Sequence, residues 1–242
     1  MSQEFPYEES SHEDISHVDE HIENPNETME QDNNTGQISY RGATSDPFFG
    51  FLIAIALSVG LTPLLPFNAD LRYTLAWGAL AGVSVLAWLL GSAERIDQET
   101  PENIVWGIIL GVLLSVPVLI FLRDPILTPA SKQVFPLMSA GTLLAYLVFV
   151  MPISETLFFR GLLQRQLDFW LVGLLATLWN IVLFLPVLWA KVLEFPAVAI
   201  VIVIILLMMN MIYVYVRERN GLAAAWICQI VSNLIILFIP FL

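Results

Sequence analysis

At 242 residues, 57% apolar and with a mean hydropathy of +0.74, this chain is richer in apolar side chains than a soluble domain, for which about 45–50% is usual. Its formal charge of −12 sits almost wholly at one end: residues 1–46 hold twelve acids against one base, Arg41, and residues 47–242 hold ten acids against nine bases. A soluble globular enzyme is excluded, and no nucleic-acid partner is expected.

Residues 1–46 are rich in Asn, Ser and Glu and poor in apolar side chains. Such a segment buries too little surface to offset the entropy of ordering, so a disordered acidic tail is predicted. It lacks the basic start and apolar stretch of a signal peptide. All three histidines, His12, His17 and His21, lie in its phrase "SHEDISHVDEH". A flexible chain that must also order itself is expected to bind divalent ions only loosely.

Residues 47–242 form the predicted transmembrane domain. Apolar runs fall at about 47–67, 73–92, 104–122, 134–166, 169–190, 195–216 and 222–241, of a length suited to crossing a bilayer as helices. The alternation a lipid-facing barrel would need is not seen. The expected fold is an all-α polytopic membrane helix bundle of about seven spans. The fourth run is too long for one straight crossing and contains Pro152, where a break is predicted, with Ser154 as N-cap. Glu155 would then stand at the positive end of a helix dipole. Two linkers stand out, "GSAERIDQETPEN" and "LRDPILTPASK".

Gly78 with Gly82, and Gly107 with Gly111, form GxxxG motifs and predict close helix packing inside the bundle. With seven spans, Arg41, Arg95, Arg165, Arg217 and Arg219 lie on the N-terminal side, and Arg72, Arg123, Lys132 and Lys191 on the other. The excess favours a cytoplasmic N-terminal tail. The lone cysteine, Cys228, permits no disulfide within the chain.

Chemistry is concentrated in "PISETLFFRG", residues 152–161. A charge at membrane depth costs about 2.5–3.5 kcal/mol on insertion scales, so Glu155 is a functional candidate and Arg160 a second. On an α-helix the two lie about 140° apart and do not stack, leaving Thr156 beneath Arg160. Four amides in the later spans, Asn180, Asn210, Gln229 and Asn233, are expected to form interhelical hydrogen bonds and to satisfy Glu155.

The stretch "MPISETLFFRGLL" resembles the first motif of the CPBP family, the CAAX proteases and bacteriocin-processing (Abi) membrane proteins. That motif reads Glu-Glu-x-x-x-Arg; Glu155 and Arg160 match, and Thr156 stands at the second glutamate. The second motif, Phe-x-x-x-His, finds Phe184 but Leu188 at the histidine. The third, His-x-x-x-Asn, finds Asn233 but Gln229 at the histidine. The resemblance covers about 134–242 and implies the fold of an intramembrane endopeptidase. In the family, acids and histidines activate a water or hold a metal. Here the remnant catalytic set is Glu155, Arg160 and Asn233, with Thr156, Leu188 and Gln229 at substituted positions. No histidine lies in any span, and neither Gln229 nor Leu188 can exchange a proton near neutrality. No metal and no other cofactor is expected.

The expectation is therefore a multi-pass protein of a cell or energy-transducing membrane that has lost peptidase activity. It would act as a scaffold, assembly factor or accessory subunit, with membrane lipids and membrane proteins as partners. The alternative is an active CAAX-type endopeptidase relying on Glu155. Transport is disfavoured, because no matched pair of interrupted helices marks an inverted repeat.

Overall fold

The computed structural model describes residues 47–89 and 100–242. The predicted acidic tail, Arg41 and Arg95 lie outside the described residues, as does most of the first predicted linker. Seven helical segments coincide with the seven apolar runs: α1 (Pro47–Gly60), α2 (Leu65–Leu89), α3 (Pro101–Val134), α4 (Ala140–Arg165), α5 (Phe169–Glu194), α6 (Pro196–Asn220) and α7 (Leu222–Phe241). Among the described residues there is no strand. The five from α3 onward are long and apolar enough to cross a bilayer. Of the other two, α1 has only 14 residues, and α2 opens with Asn68, Asp70 and Arg72.

Local chemistry explains the irregularities. Asn68 departs from helical geometry (φ −157°, ψ 80°), and its Oδ1 accepts from the Leu71 N–H at 3.0 Å, so it caps the rest of α2. The predicted linker "LRDPILTPASK" is instead helical. A π-turn over Arg123–Leu127 absorbs Pro125 and carries α3 on to Val134. The predicted break at Pro152 is absent too. A π-turn over Tyr146–Val150 precedes the proline and re-forms the backbone pattern around its missing N–H. Ser154 is no N-cap: its hydroxyl donates back to the Val150 carbonyl at 2.6 Å. The cap of α4 is Ser139, whose hydroxyl accepts from the Thr142 N–H.

The apolar faces form two clusters. One gathers α1, α2, α4 and α5 around Trp77, Phe135, Phe158 and Trp179. The other gathers α3, α6 and α7 around Leu114, Met209 and Ala224. Within the second, α3 lies tightly along α7. A Cβ on Gly107 would run into the Ala224 carbonyl oxygen, and one on Gly111 would sit 3.0 Å from that of Cys228. This GxxxG motif packs as expected. The other does not: Gly78 and Gly82 are exposed, with nothing within 4 Å of a Cβ at either.

Arg72 corrects the topology count. Rather than lying in a loop, it is fully buried. Its Nη1 donates to the Leu183 carbonyl at 2.6 Å, its Nη2 to Val182 at 3.0 Å, and its Nε and Nη2 to Ser58 at 3.3 Å. Pro186 has no N–H to return to Val182 four residues earlier, so the guanidinium supplies the bond α5 cannot make. The same group caps the end of α1 at Ser58. Arg72 thus pins α1 and α2 to α5.

Candidate functional site

Glu155 projects from α4 into the interior and is 1% exposed. Three donors surround its carboxylate. The indole N–H groups of Trp77 on α2 and Trp179 on α5 both reach Oε1 at 3.2 Å, and the Gln229 amide of α7 reaches Oε2 at 2.6 Å. Three helices therefore converge on one acid.

Gln229 also faces the other way. Its Oε1 accepts from the Thr156 hydroxyl at 3.0 Å and from Arg160 Nη1 at 3.2 Å. Arg160 continues the chain through Nη2 to Asn210 Oδ1 of α6 at 3.0 Å, and its guanidinium lies 5.1 Å from the Tyr213 ring centroid. The Arg160 carbonyl accepts from Arg217 Nε at 3.2 Å. Gln229 thus bridges Glu155 and Arg160, and the polar network ties α2, α4, α5, α6 and α7 together.

The expectation that Glu155 and Arg160 face apart rested on α-helical spacing. Residues Thr156–Leu162 form a π-turn. There the hydrogen bonds run i to i+5, so residues five apart come round to a common side. Both side chains can then reach Gln229.

All three motif segments border one cavity of about 100 Å³. Glu155, Asn180, Asn210, Tyr213, Gln229 and Asn233 give it polar groups; Phe184 and Leu188 contribute the second motif's positions. Asn233 directs its Nδ2 to the Met151 sulfur at 3.5 Å. The structure therefore brings together every remnant motif position except Thr156 and Arg160 at the cavity wall itself, and those two join through Gln229. The cavity lies at the join of the two apolar clusters.

The sequence motifs do not include Trp77 and Trp179. Both are fully buried, whereas tryptophan in a membrane protein is usually found at the interfaces. Their placement near the middle of α2 and α5 was the available signal. Trp77 also packs on Phe184 (centroids 6.3 Å apart) and stacks on Tyr73, so the second motif's phenylalanine supports a Glu155 donor.

Among the described residues no three His, Cys, Asp or Glu side chains gather, and a single carboxylate with neutral amides does not fit the nitrogen- and sulfur-rich ligation zinc prefers.

The fold and site define a multi-pass membrane helix bundle with a buried polar centre built around one glutamate. Residues 137–235 match the family model described as type II CAAX prenyl endopeptidase Rce1-like. The matched stretch coincides with the segment that carries the CPBP motif resemblance. No curated protein and no solved structure matches the chain.

Proposed function

We propose that this CPBP-family membrane protein has exchanged peptide hydrolysis for a structural role, as a scaffold, assembly factor or accessory subunit of a membrane complex. One observation carries the reading: the Glu155 carboxylate is held by Trp77, Trp179 and Gln229, and Gln229 spends its remaining oxygen on Thr156 and Arg160. A hydrolytic centre needs a base free to take a proton and a second group to return it to the leaving amine. Here the second acid is Thr156, and the histidine positions are Leu188 and Gln229. Two of these three substitutions, Thr156 and Gln229, also supply hydrogen bonds between helices.

The test is the native mass of the protein, gently solubilised from its own membranes, with identification of whatever co-purifies. A membrane-protein partner at fixed stoichiometry is expected. A free monomer or homodimer would count against the subunit role.

A further inference from the structure

We infer that the cavity beside Glu155 is a binding site for a neutral, single-chain amphiphile with a hydroxyl head, such as a long-chain primary alcohol, inserted head first. The inference rests on the reading of the centre as non-catalytic and names its ligand.

One polar group on the cavity wall has no partner: Asn180 Oδ1 is an acceptor without a donor, on a residue 5% exposed. The Tyr213 hydroxyl, also on the wall, has Ser232 beside it. An unmet buried polar atom costs about 1–3 kcal/mol, so a ligand that donates to Asn180 gains from doing so. A hydroxyl supplies that donor from one small group and can accept in turn.

Charge sets the head's class. The Glu155 carboxylate is engaged by three donors, while Arg160 is committed to Gln229 and Asn210 and does not line the cavity. Glu155 and Arg160, bridged by Gln229, already offset each other's charge, so an ionic head would bring an unbalanced charge into the site, which is costly at membrane depth.

Volume sets its orientation and chain number. At about 100 Å³ the cavity is smaller than the ~150 Å³ apolar cavity known to take a benzene. It holds a head and the first few carbons of one chain. Beyond the polar end the walls are Ile126, Leu127, Val134 and Leu188, and the half-buried Ala130, Ile202, Leu206 and Leu237 of α3, α6 and α7 form a rim through which the tail leaves. Water alone fills such a space poorly: it can bond at the polar end, but the apolar walls beyond offer none of the two to four polar partners a buried water needs.

The test uses the full chain in lipid nanodiscs and a hexadecanol analogue with a diazirine near its hydroxyl. Photolabel is expected on cavity segments around Met209 and Asn233, removed by excess hexadecanol but not by hexadecyl phosphate. Asn180→Leu should weaken labelling about tenfold, the equivalent of 1.4 kcal/mol. Ile202→Trp, which blocks the rim and leaves the polar end intact, should remove it while thermal unfolding stays as in wild type. Label confined to the outer face at Trp106 and Ile109, equal competition by hexadecyl phosphate, or full labelling of a folded Ile202→Trp would each overturn the inference. Peptide release is followed on the same discs. Release that depends on Glu155 refutes the non-catalytic reading, whereas absent labelling without release refutes the ligand alone.

Discussion

Replacing Gln229 with methionine keeps the side chain's length and removes its amide. Three hydrogen bonds disappear: to Glu155 Oε2 at 2.6 Å, from Thr156 at 3.0 Å and from Arg160 at 3.2 Å. Two of these involve a charged group, where the usual contribution is about 1.5–3 kcal/mol each, whereas neutral interhelical bonds in membranes average about 0.6. The loss is limited because neither charge is stripped bare: Glu155 keeps both indoles, and Arg160 keeps Asn210. The cost should therefore fall below the 3–5 kcal/mol of a buried pair deprived of one partner, at about 2–3 kcal/mol. Thr156→Val, which deletes only the neutral bond, should cost about 0.6 kcal/mol. Denaturant titration in bicelles, read by tryptophan fluorescence, measures both, since two of the seven tryptophans lie on Glu155. A Gln229→Met variant within about 0.5 kcal/mol of wild type would refute the claim that the network holds the helices together.

Further predictions concern other parts of the bundle. Gly107→Leu should destabilise by about 1–3 kcal/mol or prevent folding, because its side chain meets the Ala224 backbone, whereas Gly78→Ala should be neutral or slightly stabilising; thermal unfolding compares them. Arg72→Met should cost about 1–3 kcal/mol or more by orphaning the Val182 and Leu183 carbonyls, with the same assay as readout. Deleting residues 1–44 should weaken association with a co-purifying partner at low salt and matter less as salt screens the tail's charge; unchanged affinity at low salt would remove the tail from the account.

Much of this was legible in the sequence because lipid imposes simple demands. Apolar runs located the seven helical segments, and the rarity of buried charge singled out Glu155 and Arg160. The amides expected to satisfy Glu155 include Gln229, which does. What failed depended on partners or on backbone detail. Pro152 and Pro125 look like breaks in one dimension, yet π-turns accommodate both. Arg72 reads as a loop residue because an unpaired arginine in a span is costly; four bonds to carbonyls of α1 and α5, over a hundred positions away in the second case, offset that cost. The two GxxxG motifs are indistinguishable as text. Such a motif records a flat helix face and says nothing of what lies against it, and only Gly107 and Gly111 meet a neighbour.

The most direct measurement is peptide release by the purified protein in nanodiscs, with and without Glu155→Gln, using prenylated peptides ending in a CAAX sequence and a transmembrane peptide as substrates. The account predicts no release from either protein and a loss of stability in the variant, because an amide at position 155 places a second donor against Gln229 Nε2. Release by the wild type that Glu155→Gln abolishes, in a variant equally stable, would contradict it and make Glu155 a catalytic base.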